Sequence, residues 1–77
     1  MKTMDFMIEF EQENDGRWIA EIPELPGVMA YGVTRIQAGE KAKALAFRVL
    51  ADRIESDYSL PHIDHVAFSA YEPVAVN

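Results

Sequence analysis

Asp15–Gly32 reads DGRWIAEIPELPGVMAYG, and the rest of the chain arranges itself around this stretch. It opens in a turn at Asp15-Gly16, where an Asp and a Gly accept backbone angles that most residues avoid. Trp18, Ala20 and Ile22 then fall on one side of an extended chain, with Arg17, Ile19 and Glu21 on the other. That period of two marks a strand with one buried face and one wet face. Pro23 and Pro26 have no N–H to give to a sheet, so Pro23–Gly27 leaves the ladder as a stiff connector. Val28 to Tyr31 reads as a short third strand, ended by Gly32.

Upstream, Met4, Phe6, Ile8 and Phe10 alternate with Asp5, Met7, Glu9 and Glu11. This first strand is joined to the second through the turn-forming run Glu13-Asn14-Asp15-Gly16, so the two make an antiparallel hairpin. Downstream, Thr34 with Gln37 forms a capping-box pattern that starts a helix. Ala38, Ala42, Leu45, Ala46, Val49 and Leu50 recur at three- and four-residue spacings, with Ile54 continuing the stripe. Lys41, Lys43, Arg48 and Asp52 fall largely on the opposite side. Gly39 reads as a weak point, costing up to ~1 kcal/mol against alanine in a helix interior. Ser56 to Pro61 is expected to be a loop. His65 to Tyr71 follows as a fourth strand, with Val66, Phe68 and Ala70 on one face and Ala67, Ser69 and Tyr71 on the other. Pro73 ends it, and Pro73–Asn77 is expected to form a loose tail.

The element order β-β-β-α-β defines an α+β fold in a single domain, residues 1–77. The simplest closure is a three-stranded antiparallel meander with the fourth strand parallel to the first and one helix on one face. A right-handed crossover makes the return. The other face would be uncovered, showing Asp5, Glu9, Glu11, Arg17 and Glu21 among Met7 and Ile19. Apolar residues set among charges make a candidate contact surface.

A chain of 77 residues buries roughly 60% of its unfolded surface, which leaves a marginal core. Without cysteine there is no disulfide to reinforce it, so oligomerisation or a protein partner is the remaining route to further burial. No apolar run reaches membrane-spanning length and none resembles a signal peptide, which makes the cytoplasm the default location. The net charge of −6 opposes direct nucleic-acid binding. The charge is also uneven. Residues 1–33 carry seven acids against Lys2 and Arg17, whereas residues 34–56 carry five bases against three acids. An acidic sheet would draw a basic partner, although from charge alone plain solubility is the preferred reading.

Catalytic chemistry has no positive sign. Asp5, Glu9 and Glu11 make a solvated row along one strand, whereas acid–base work needs converging, desolvated carboxylates. Ser56, Ser59 and Ser69 lack a nucleophile-elbow context, and no glycine-rich phosphate cradle is present. His62, Asp64 and His65 could hold a metal, but zinc wants three or four protein ligands, and exposed loop histidines are the simpler reading. Trp18, beside Arg17 and with Tyr31, could stack bases; its core register and the acidic surroundings favour packing. No catalytic residue, metal or cofactor is therefore expected.

Asp15, Gly16, Trp18 and Ala20, then Pro23-Glu24-Leu25-Pro26-Gly27, then Gly32, Thr34, Gln37 and Ala38, resemble the HicB antitoxin family over residues 4–56. Each of these residues also has a structural reason to be where it is, as turn, core anchor, connector, strand end or helix cap. The resemblance implies a partial RNase H-like domain without the metal-binding acids of true RNase H. It also implies a protein that binds and neutralises a HicA-like toxin, a small basic mRNA-cleaving protein, and that forms a homo-oligomer. Gln37 stands where the family usually has glutamate. The sequence stops at Asn77, where many members continue into a DNA-binding module, so no such module and no operator binding are expected. The expected function is a non-enzymatic antitoxin that works by occlusion, with contacts from Glu9, Glu11, Arg17, Ile19, Glu21, Glu24 and Leu25. The alternative is an orphan scaffold or small-ligand binder of the same fold without a toxin.

Overall fold

Five elements follow one another in the computed structural model, which describes residues 3–56 and 63–71. They are β1 (Thr3–Gln12), β2 (Trp18–Glu21), β3 (Met29–Gly32), α1 (Arg35–Ser56) and β4 (His65–Tyr71). The strands form one mixed sheet in the order β3-β2-β1-β4, with β1 antiparallel to β2 and parallel to β4. This is the α+β topology expected from the residue pattern. The expected loop over 57–61, the ligand role of His62 and the tail over 73–77 lie outside the described residues.

Local chemistry sets each junction. In the β1–β2 turn, Arg17 N–H donates to Asp15 Oδ1 at 3.0 Å and Gly16 N–H donates to the Glu13 carbonyl at 2.9 Å. Gly16 sits at φ +93°, in the left-handed region that an L side chain rarely enters. At the helix start, Gln37 N–H donates to Thr34 Oγ1 at 3.0 Å while Gln37 Oε1 accepts from Val33 N–H at 2.6 Å. The Thr34 side chain thus caps the helix start as expected, while the Gln37 side chain reaches one residue further back than in a capping box, to Val33 rather than to Thr34. Gly32 is the last residue of β3 rather than the residue after it. A Cβ at Gly32 would stand 2.9 Å from Ala38 Cα, so the missing side chain lets the first helical turn rest directly on the strand.

The core lies between the sheet and α1. Phe6, Ile8, Phe10, Ala20, Ile22 and Ala30 meet Ala38, Ala42, Ala46 and Leu50, with Leu45, Val49 and Trp18 packed around them. Small alanines let the helix approach closely. Three expectations change here. Ile54 is 56% exposed, so the buried stripe ends at Leu50. A 22-residue helix runs about 33 Å, while four-residue strands run only about 13 Å, and the last turn overshoots its support. That turn includes Ser56, which is helical rather than part of a loop. Ala70 is exposed despite its core-facing register, and Val66 and Phe68 are only half-buried. The reason is helix placement: α1 packs on β2 and β3, touches β1 lightly and reaches β4 through the Phe47 ring against Phe68.

Gly39 is not the defect that helix propensity suggests. It is buried, and a Cβ there would stand 3.1 Å from Phe10 Cζ. The Phe10 ring is held from another side by the Arg35 guanidinium, 4.1 Å from its centroid. Gly39→Ala is therefore expected to destabilise the domain by about 1 kcal/mol, because crowding in a packed core outweighs the gain in helix propensity. Chemical denaturation of the purified variant measures this, and a gain in stability would show that the ring moves aside freely.

Candidate functional site

The sheet face opposite α1 is uncovered by any described residue, and the strand register specifies its composition. One cross-strand row runs Met29–Glu21–Glu9–Tyr71 and the next runs Tyr31–Ile19–Glu11. Met7 and Ser69, then Asp5 and Ala67, continue the face along β1 and β4. Ile19 is half-buried at the centre, and Met7, Met29, Tyr31 and Tyr71 are exposed around it. A shallow depression of about 260 Å³ is lined by Glu9, Phe10, Glu11, Ile19, Glu21 and Tyr71.

Two features separate this face from an ordinary solvated surface. Glu9 and Glu21 stand directly opposite each other on neighbouring strands, an arrangement that costs stability because like charges are held side by side. The carboxylates are also interleaved along these rows with exposed apolar side chains, and apolar residues set among charges make a candidate contact surface. Arg17 belongs to the rim. Its guanidinium lies 4.9 Å from the Tyr31 ring centroid, and its Nε pairs with Asp15 Oδ2 at 2.9 Å. Tyr31 and Trp18 point to opposite faces, because Tyr31 is registered with Ile19 and Trp18 is half-buried on the helix side. They cannot form one stacking platform.

The Asp15 carboxyl is held below its ordinary value, first by the hydrogen bond from Arg17 N–H and then by the Arg17 side chain. A group depressed in the folded state contributes stability above its unfolded value and loses it as pH falls through the folded one. Asp15→Asn is expected to abolish that acid-side dependence while lowering neutral-pH stability slightly. Thermal unfolding of both proteins from neutral pH down into the carboxylate range reads the difference. A residual slope unchanged in the variant would assign the dependence to other carboxyls.

The expected contact residues divide. Glu9, Glu11, Arg17, Ile19 and Glu21 come together on the open face or its rim. Leu25 does not: it is 2% exposed and belongs to the core with Ile22 and Val28. Its N–H donates to the Ile22 carbonyl, and its own carbonyl accepts from Val28 N–H, both at 3.0 Å. Two tight turns thus fold the connector inward, with Gly27 at φ +88° completing the second. Glu24 remains exposed on that connector, outside the strand register that defines the face. Met29, Tyr31 and Tyr71 are additions to the site, and the alternation along β3 and β4 is the signal that places them.

Among the described residues, no group of three or more His, Cys, Asp or Glu side chains is arranged to hold a metal ion. No helix there is long and apolar enough to cross a membrane. Comparison with protein-family models, curated proteins and solved structures finds no match to this chain.

Proposed function

We propose that this chain is a non-catalytic, antitoxin-like subunit whose open sheet face covers a small basic mRNA-cleaving toxin of HicA type. The observation that carries this reading is the pair of opposed glutamates beside Ile19, a costly arrangement for a surface that meets only water. Against a basic partner the same carboxylates become favourable. They would speed encounter through long-range attraction and orient the partner, while Ile19, Met29, Tyr31 and Tyr71 supply the apolar contact. Inhibition follows from coverage: a protein seated on the toxin's RNA-contacting surface excludes the RNA without chemistry of its own. The motif resemblance over residues 4–56 supports the choice of partner class.

The test is co-expression with a small basic HicA-type toxin, followed by an RNase assay on that toxin at increasing ratios of this chain. Stoichiometric loss of RNase activity is expected. Full RNase activity with this chain in excess would reject the inhibitory role.

A further inference from the structure

We propose that the cleft where α1 parts from β1 and β4 binds a small aromatic carboxylate. The ring would lie among Ile8, Phe10 and Phe68, and the carboxylate would be held by Arg35 and Lys43. The cleft encloses about 170 Å³ on the helix side of the sheet, opposite the acidic face. Its origin is the placement of the helix. Because α1 packs on β2 and β3 and touches β1 only lightly, a gap remains above β1 and β4. Gly39 widens the gap, since the helical residue that faces the Phe10 ring carries no side chain.

The walls suit one ring. Ile8 and Phe10 are buried and Phe68 is half-buried, so the inner surface is apolar and aromatic. An apolar cavity of about 150 Å³ takes up benzene, whereas sites for larger ligands run to about 300 Å³ or more. The volume here therefore admits a single ring with its substituent at the mouth, and excludes a nucleotide or a length of peptide. Phenylalanine walls favour a ring as guest, through edge and offset contacts.

The mouth suits one negative charge. The Arg35 guanidinium lies 4.1 Å from the Phe10 ring centroid, and Lys43 Nζ lies 5.9 Å from that of Phe68. Each aromatic wall thus has a cation beside it. An arginine placed over a ring can still offer N–H donors to a carboxylate, in the fork geometry that carboxylates match. Among the described residues that line the cleft, Glu40 is the one acid, and it pairs with Lys43 at 3.4 Å. Arg35 and Lys43 against Glu40 leave a positive balance on a chain whose net charge is −6. A monoanion with an apolar body matches that balance, whereas inorganic phosphate has no apolar body to fill the space between the rings. Phe10 and Glu9 alternate to opposite faces of β1, so a ligand here leaves the proposed toxin contact open.

Titration of the full chain with benzoate, followed by amide NMR, tests this. Saturable shifts are expected at Phe10, Ile36, Gly39, Lys43 and Phe68, with a Kd of roughly 0.1–1 mM for so small a ligand. Ile19 and Tyr31, on the opposite face, should not shift. Benzamide keeps the ring without the charge, and acetate keeps the charge without the ring; each should bind at least about tenfold more weakly. Lys43→Gln is expected to weaken benzoate binding about fivefold and Glu40→Gln to strengthen it about twofold, both with an unchanged circular dichroism spectrum. A purely structural role for these two side chains would not move the affinity in opposite directions. The proposal would be overturned by no saturation at about ten times the expected concentration, or by shifts centred on the acidic face. It would equally be overturned if benzamide or inorganic phosphate bound as tightly as benzoate, or if Lys43→Gln bound benzoate like the wild type.

Discussion

Leu25→Ala is expected to remove about 2–5 kcal/mol of folding stability, the range for emptying a buried leucine site. For a 77-residue domain whose whole stability is roughly 4–12 kcal/mol, that is a large share. The size of the effect follows from the connector's geometry. Leu25 is 2% exposed and is locked by one hydrogen bond on each side, so the two turns around it cannot collapse into the space its side chain leaves. Urea denaturation should show a lower midpoint with an unchanged slope, since the surface exposed on unfolding stays nearly the same. A loss below about 1 kcal/mol would mean that the connector is peripheral to the core rather than part of it.

Glu21→Lys is expected to separate stability from binding, and in opposite directions. In the folded monomer the substitution turns a directly opposed like-charge pair with Glu9 into an attractive one, worth up to about 1 kcal/mol. Against a basic partner it places repulsion beside the apolar centre of the face, and affinity should fall at least about tenfold. The loss should shrink as salt is raised, because screening weakens charge repulsion between exposed groups. A variant that is both more stable and less able to bind is what a surface retained for recognition produces. If binding were unaffected, the partner would have to sit elsewhere. If stability fell, the opposed glutamates would not be strained in the free protein.

Residue alternation carried most of the fold. Period-two patterns placed Phe6, Ile8 and Phe10 inside and Asp5, Glu9 and Glu11 outside, and the Thr34/Gln37 pair located the helix start. These are local signals, set by the geometry of a single element. What could not be read depends on where elements lie relative to one another. Ala70 has the spacing of a core residue, but its burial requires a helix above it, and α1 sits over β2 and β3. Gly39 looked unfavourable because propensity takes no account of the Phe10 ring against it. Leu25, enclosed by prolines and a glutamate, had the composition of an exposed linker, and only the two successive turns drive it inward. The candidate face shows the same division. The wet sides of β1 and β2 were recognisable singly, whereas the Glu9–Glu21 opposition and the arrival of Met29, Tyr31 and Tyr71 come from cross-strand register.

Carboxyl footprinting of this chain, free and mixed with the proposed basic toxin, examines the binding face directly. Carbodiimide labelling read by mass spectrometry reports each acid separately. Glu9, Glu11 and Glu21 should lose most of their reactivity in the complex, while Glu40, Asp52 and Glu55 on the helix keep theirs. Protection of the helix acids, with the sheet acids labelled as in the free protein, would place the partner on the opposite side and contradict the assignment.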